Sequence, residues 1–174
     1  MANTVDIDFN LILSGGLRDS SGSLRATTRR TISKAFDSAG TDASLVNQMY
    51  FPQAVLTLGA GANTTLDLTS GLLNPINLEI TGASDFAKVR VIVIEHDTTS
   101  AASAIVVGNG TNPFGGLLTT NTNTFTLKPG QGVAMWDRYS TTGMTVDGTN
   151  KTVKITNSDG VNTASYYVYV LGSI

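Results

Sequence analysis

Apolar and polar residues alternate with a period of two along most of this chain, the spacing of strands with one buried face. Val5, Ile7, Phe9, Leu11 and Leu13 interleave with Asp6, Asp8, Asn10 and Ile12, and predict a first strand with one mostly polar face. Ser14-Gly15-Gly16 and Asp19-Ser20-Ser21-Gly22 read as turns, and Leu24 to Phe36 as a long, weakly apolar strand. Between Asp37 and Met49 the spacing allows a short helix capped by Thr41, with Leu45, Val46 and Met49 on one side, or an irregular loop.

Beyond Tyr50 the strand pattern is continuous. Eight β-branched or aromatic segments are separated by Gly, Asn, Thr, Ser and Asp: 55–58, 65–68, 89–94, 104–107, 124–127, 132–136, 152–156 and 166–171. The run from Phe86 to His96 is the most apolar and predicts a central strand, with Val89, Val91 and Val93 on one face and Arg90, Ile92 and Ile94 on the other. Gly108 to Pro113 and Lys128 to Gly132 carry turn chemistry, and Asn157-Ser158-Asp159-Gly160 predicts a hairpin with a primed turn. The expected fold is all-β: an antiparallel β-sandwich, jelly-roll-like or Ig-like, of about eight to ten strands with an N-terminal strand or arm. Residues 1–49 supply N-terminal strands and an arm packed on or exchanged with neighbours, and 50–174 the sandwich core, together one structural unit.

Composition narrows the setting. Charged residues make up only 14% of the 174 positions, against roughly 25% in ordinary globular proteins. Neutral Thr, Ser and Asn must therefore cover much of the surface, which suits a β protein held among neighbours better than one diffusing alone. A net charge of −2 provides no global attraction to nucleic acid or anionic lipid. The absence of cysteine removes disulfides, thiolate catalysis and Cys-ligated metals. The opening Met-Ala-Asn-Thr-Val-Asp-Ile-Asp has no basic or apolar signal-peptide region, and no apolar run is long enough to span a bilayer, so synthesis in a cytoplasm without membrane association is expected.

Candidate chemistry is sparse. The single histidine, His96, stands between Glu95 and Asp97, but neighbours on a strand point to opposite faces, which makes a poor metal or acid–base site. Many serines leave a Ser-His-Asp arrangement conceivable, yet no nucleophile-elbow motif occurs. The pairs Asp6/Asp8 and Asp147/Asp159 lack calcium-loop spacing and read as surface carboxylates. Neither catalytic nor metal nor cofactor-binding residues are expected. The cluster Arg18, Arg25, Arg29, Arg30 and Lys34 holds five of the 11 Lys and Arg residues but lacks interleaved aromatics, which favours a partner-facing arm over nucleic acid. Tyr166, Tyr167 and Tyr169, with Trp136 and Tyr139, suggest packing or interface rings, and alternatively a sugar platform. Arg18, Arg25, Arg29, Arg30, Lys34, Phe114, Trp136, Arg138 and Tyr139 are the expected partner contacts, on an 18–34 arm and loops over 108–120 and 136–150.

The block from Leu66 to Leu72 followed by Phe86 to Ile94 carries a resemblance. It continues through Val106-Val107-Gly108-Asn109-Gly110, Asn112-Pro113-Phe114, Lys128-Pro129-Gly130-Gln131-Gly132-Val133, Lys154 to Ser158 and Tyr166 to Val170, with Arg30 to Lys34 upstream. In these motifs the chain resembles small structural proteins encoded by tailed bacteriophages and prophages, over most of residues 28–172. Gly-Gln-Gly at 130–132 and Asn-Gly-Thr at 109–111 depart from that pattern. The resemblance implies a non-enzymatic virion protein, in first place a capsid decoration or cement protein. Its partners would be the major capsid protein or other virion proteins, and its state a homo-oligomer, a trimer being favoured. Its alternative is a tail or fibre module that binds host-surface glycan; a depolymerase using the carboxylates ranks last.

Overall fold

The computed structural model describes residues 6–18, 24–37, 46, 48–52, 54–70, 86–98, 103–137 and 144–173, the first two stretches through their backbone pairing. These residues form strands and connections, with no helix among them. The strands are β1 (Asp6–Arg18), β2 (Leu24–Asp37), β3 (Gln48–Tyr50), β4 (Leu56–Leu58), β5 (Asn63–Asp67) and β6 (Lys88–His96), followed by β7 (Ile105–Gly108), β8 (Thr124–Leu127), β9 (Gly132–Trp136), β10 (Met144–Thr145), β11 (Thr152–Asn157) and β12 (Ala164–Ser173). β1 and β2 pair with each other and with no other described strand. The remaining ten strands form two antiparallel sheets, one of six and one of four.

The six-stranded sheet is four strands wide. β12 lies along one edge of β6 from Lys88 to His96. β9, opposite Val91 to Glu95, and β10, opposite Lys88 and Val89, must then share the other edge. On the far side of β12, β4 meets Ala164 to Tyr166 and β3 meets Val170 to Gly172. The second sheet runs β5-β11-β7-β8. Once β3 and β10 are taken as edge extensions, eight strands remain. They pair first with last (β4–β12), second with seventh (β5–β11), third with sixth (β6–β9) and fourth with fifth (β7–β8). That nesting is a jelly roll, a long antiparallel double strand rolled into a sandwich. An Ig-like order would place the second strand beside the fifth, which does not occur here.

Both sheets contribute to one core. Leu58, Ile92, Ile94, Val168 and Val170 of the six-stranded sheet meet Leu66, Ile105, Val107, Val153 and Ile155 of the other. Each such side chain contributes about 1.5–3 kcal/mol on burial, so the facing rows hold the sheets together. The β8–β9 crossing is a tight turn: Gln131 N–H donates to the Lys128 carbonyl at 2.9 Å, and Gly130 at φ 74° follows Pro129. Pro then Gly at the two central positions is the signature of a type II turn.

Several expectations are corrected. Gly15 and Gly16 lie within β1, opposite Thr28 and Thr27, and are no turn. The 37–49 helix fails at its end, because Gln48–Tyr50 pairs with β12; residues 38–45 lie outside the described set. The 157–160 segment is no hairpin, since β11 and β12 belong to different sheets and Gly160 is not at positive φ. Two Asx interactions shape it instead: Asp159 accepts from the N–H groups of Val161 and Asn162, at 2.8 and 3.1 Å. Finally, Val89 packs in the main core with Ile92 and Ile94 rather than beside Val91. A register irregularity between Leu171 and Gly172 turns the start of β6 over, as a bulge does.

Candidate interaction surfaces

The β1–β2 ribbon is the first candidate. Its register sets Ile7 opposite Phe36, Phe9 opposite Lys34, Leu11 opposite Ile32 and Leu13 opposite Arg30. Directly opposed residues share a face, so these positions form one mainly apolar face carrying Lys34 and Arg30. The other face holds Asp6 opposite Asp37, Asp8 opposite Ala35, Asn10 opposite Ser33 and Ser14 opposite Arg29. Arg18 pairs with Leu24 across an irregularity that leaves Arg25 as the extra residue. The basic residues are therefore not gathered on one face. They are graded along the ribbon instead: Arg18, Arg25, Arg29 and Arg30 lie toward the 19–23 end, while Asp6, Asp8 and Asp37 lie at the other. With 13 residues in β1 the ribbon reaches about 40 Å, and a two-stranded ribbon of this kind is marginally stable alone.

The second candidate is the outer face of the six-stranded sheet. Pairing places Trp136, Val91, Leu171 and Met49 in one row across it, and Ala134, Val93 and Tyr169 in the next. Val46, Val91 and Leu171 form a second apolar cluster here, with Met49, Val93 and Trp136 packed against it. Phe51, 38% exposed, stacks on Tyr169 with ring centroids 4.4 Å apart, and Tyr167 stacks on Tyr169 at 5.9 Å. Glu95 lies opposite Tyr167, and both it and Asp97 are exposed. Burial first, then the charges of Tyr167, Glu95 and Asp97, push the Tyr169 hydroxyl above its usual range. This face is thus apolar at one end and acidic at the other. Met49 read as part of the apolar side of a 37–49 helix, whereas Phe51, just beyond it, was not singled out; the alternation of Met49 and Phe51 around Tyr50 was the available signal.

Among the described residues, His96, Asp67, Asp147 and Asp159 each hold local structure. His96 is fully buried, with Nδ1 3.0 Å from the Leu127 carbonyl and Nε2 3.3 Å from the Ser103 hydroxyl. A carbonyl only accepts, so Nδ1 donates there, while Nε2 lies beside the Ser103 hydroxyl. The Ser-His pair imagined from the sequence exists, but a backbone carbonyl stands where a triad has its carboxylate, and Ser103 is buried too. The backbone of His96 also holds the β8–β9 turn, through Gln131 and Gly130. Asp147 caps its own loop by accepting from Thr149 and Asn150, which holds its carboxyl at about 2. Asp159 is lowered likewise by Asn162 and Val161. Asp67 is lowered by its contacts to Lys151, 2.8 Å away, and Thr69, although burial opposes them. No group of three or more His, Cys, Asp or Glu side chains poised for a metal occurs among the described residues.

The remaining predicted contacts separate. Phe114 is a correction: it is fully buried in the main core and cannot present its ring to a partner. Its loop is pinned to β11, with Phe114 N–H donating to the Thr152 carbonyl and Thr152 Oγ1 to the Thr111 carbonyl. Trp136 does lie on the outer sheet face, half-buried against Val91. Arg138 and Tyr139 lie outside the described residues. Tyr166 is not part of any exposed platform: it is buried in the core, and that burial, with a smaller effect of Tyr50, pushes its hydroxyl up to about 12. Compared with known proteins, the chain matches no family model, no curated protein and no solved structure.

Proposed function

We propose that this chain is a non-enzymatic structural component of a multi-subunit assembly, and, following its resemblance to phage structural proteins, a decoration protein of a virion head. The observation that carries the reading is the β1–β2 ribbon: 27 strand residues, one mainly apolar face, and pairing with neither sheet of the sandwich. A lone ribbon that reaches so far without joining its own sheets serves contacts with neighbours. The low charge of the chain supports the same conclusion. In this role each jelly roll sits over a junction between capsid subunits and adds many weak contacts that act together. A closed trimer suits such a site.

Particles assembled without the chain, then heated or moved to low salt, should open at lower temperature than particles carrying it. Equal stability, with an unchanged capsid surface, would sink this reading. Glycan binding is the second reading, favoured by Phe51, Tyr167 and Tyr169 on one face. It is weaker, because Phe51 and Tyr167 both stack on Tyr169 and cover part of the ring faces on which a sugar would lie. A glycan array probed with the intact chain and with Trp136→Ala separates the two: binding lost in the variant would support the glycan reading.

A further inference from the structure

We propose that Asn109 is a site of spontaneous deamidation: the Gly110 backbone nitrogen closes on the Asn109 side-chain carbonyl carbon, and the Lys154 ammonium, 3.4 Å from the Asn109 backbone carbonyl, promotes the step. The site stands apart from the assembly role proposed above. The pattern Asn/Asp-Gly-x-Asn occurs three times in the chain, at 109–112, 147–150 and 159–162. In two of these turns the first side chain is tied down. Asp147 accepts from the N–H groups of Thr149 and Asn150 at 2.7 and 2.9 Å, and Asp159 from those of Val161 and Asn162 at 2.8 and 3.1 Å. Asn109 is exposed, and its carboxamide bonds to no described residue. Its turn is held from the far side instead, where Lys151 and Thr152 donate to the Asn112 carbonyl at 3.0 and 2.9 Å. The side chain at 109 is therefore left available for reaction.

The neighbouring groups supply what the reaction needs. Gly110 places no side chain beside the nitrogen that attacks, and no described residue accepts from its N–H. Lys154 donates to the carbonyl of the same peptide group. Loss of the amide proton spreads negative charge onto that oxygen, and a cation there stabilises it, so the nucleophile forms more readily. The atoms balance with hydroxide and water alone. Hydroxide takes the Gly110 amide proton, and the nitrogen bonds to Asn109 Cγ. The Cγ–Nδ2 bond breaks, and the nitrogen leaves as ammonia with a proton from water. Water then opens the succinimide ring at either carbonyl, which leaves aspartate or isoaspartate; nothing is oxidised or reduced. Either product adds a negative charge to the β7–β8 connection, and isoaspartate also lengthens its backbone by a methylene.

Incubation of the full chain in mildly alkaline buffer, below its unfolding temperature, tests the site. Peptide mass spectrometry at intervals, with fragmentation that separates aspartate from isoaspartate, reads the products at each position. Folded wild type should accumulate both at 109 and no isoaspartate at 147 or 159. Lys154→Gln should slow the reaction in the folded chain by about two- to fivefold, the scale of an exposed charge contact. Lys154→Arg keeps the cation and should keep the rate. Molar salt should slow wild type toward Lys154→Gln, since it screens the ammonium. In urea the wild type and Lys154→Gln should react at one rate, because the lysine is then no longer held at the carbonyl. Thermal unfolding of each variant verifies its fold. An amide at 109 that survives in the folded chain, or isoaspartate forming first at 147 or 159, overturns the site. Equal folded rates for wild type and Lys154→Gln, unmoved by salt, overturn the role of the lysine.

Discussion

Two buried polar residues fix the corners of this fold. The Asn157 side chain, fully buried, donates through Nδ2 to the carbonyls of Leu58, Gly59 and Asn162, at 3.3, 3.0 and 2.7 Å. One amide thereby ties the β4–β5 and β11–β12 crossings, both of which pass between sheets. Asn157→Ala should lower stability by about 1–3 kcal/mol, seen as a reduced urea midpoint with unchanged slope, because it leaves buried carbonyls without a donor. His96 does the same for the β8–β9 crossing. The surface carboxylates act in the opposite pH regime from a buried cation. Asp147 is held at about 2 and Asp67 and Asp159 below their ordinary 3.8, so the stability they confer is full above that value and is lost as pH falls toward their folded values. Urea midpoints should drop between pH 4 and pH 2, and Asp147→Asn should flatten part of that drop. An unaltered slope in the variant would show that the loop contacts of Asp147 contribute nothing.

Among the elements, the connection between β7 and β8 is where the double strand folds back on itself. It leaves β7 through Gly108 at φ 118°, and Asn109 and Asn112 also adopt positive φ, at 56° and 55°. Asn tolerates that region better than other residues with a side chain, and glycine best of all. At Gly108 a Cβ would also collide with the Asn123 carbonyl. Gly108→Ala should therefore cost more than the usual ~1 kcal/mol of a glycine-to-alanine change, since space and dihedral angle both forbid it. Phe114 closes the same loop onto the core. Phe114→Ala should cost about 3–5 kcal/mol and loosen the whole 109–123 connection, detectable as faster amide exchange there.

At the scale of the whole molecule, a two-sheet sandwich carries a separate two-stranded ribbon. The jelly roll buries a core shared by both sheets, while β1 and β2 pair only with each other. Hydrogen exchange on the isolated chain should show β6 and β12 as the slowest elements and the ribbon as the fastest. Binding to assembled particles should then slow exchange along β1 and β2 selectively. Ribbon amides that are as protected in a monomer as those of β6 would mean that the ribbon is already covered within one copy.

Alternation alone determined that this chain is all-β, and it located nearly every sandwich strand, because a half-buried strand must repeat every two residues. It also identified Phe86 to His96 as central, since only a strand covered on both faces tolerates apolar residues on both. The two-residue β10 holds no periodicity, and β3 was hidden because Val46 and Met49 also fit helical spacing. Other features depended on distant partners. Gly15 and Gly16 read as a turn until a strand was found opposite them, and Asp159-Gly160 read as a hairpin until its flanking strands fell in different sheets. Phe114 looked like a loop contact, and only the packing of both sheets showed that its ring fills the core. Sequence sets which residues prefer a pleated, half-buried surface. The order of strands, the fate of His96 and the gathering of Phe51, Tyr169 and Glu95 on one face were decided by tertiary structure, because each depends on which segments, far apart in the chain, come to lie side by side.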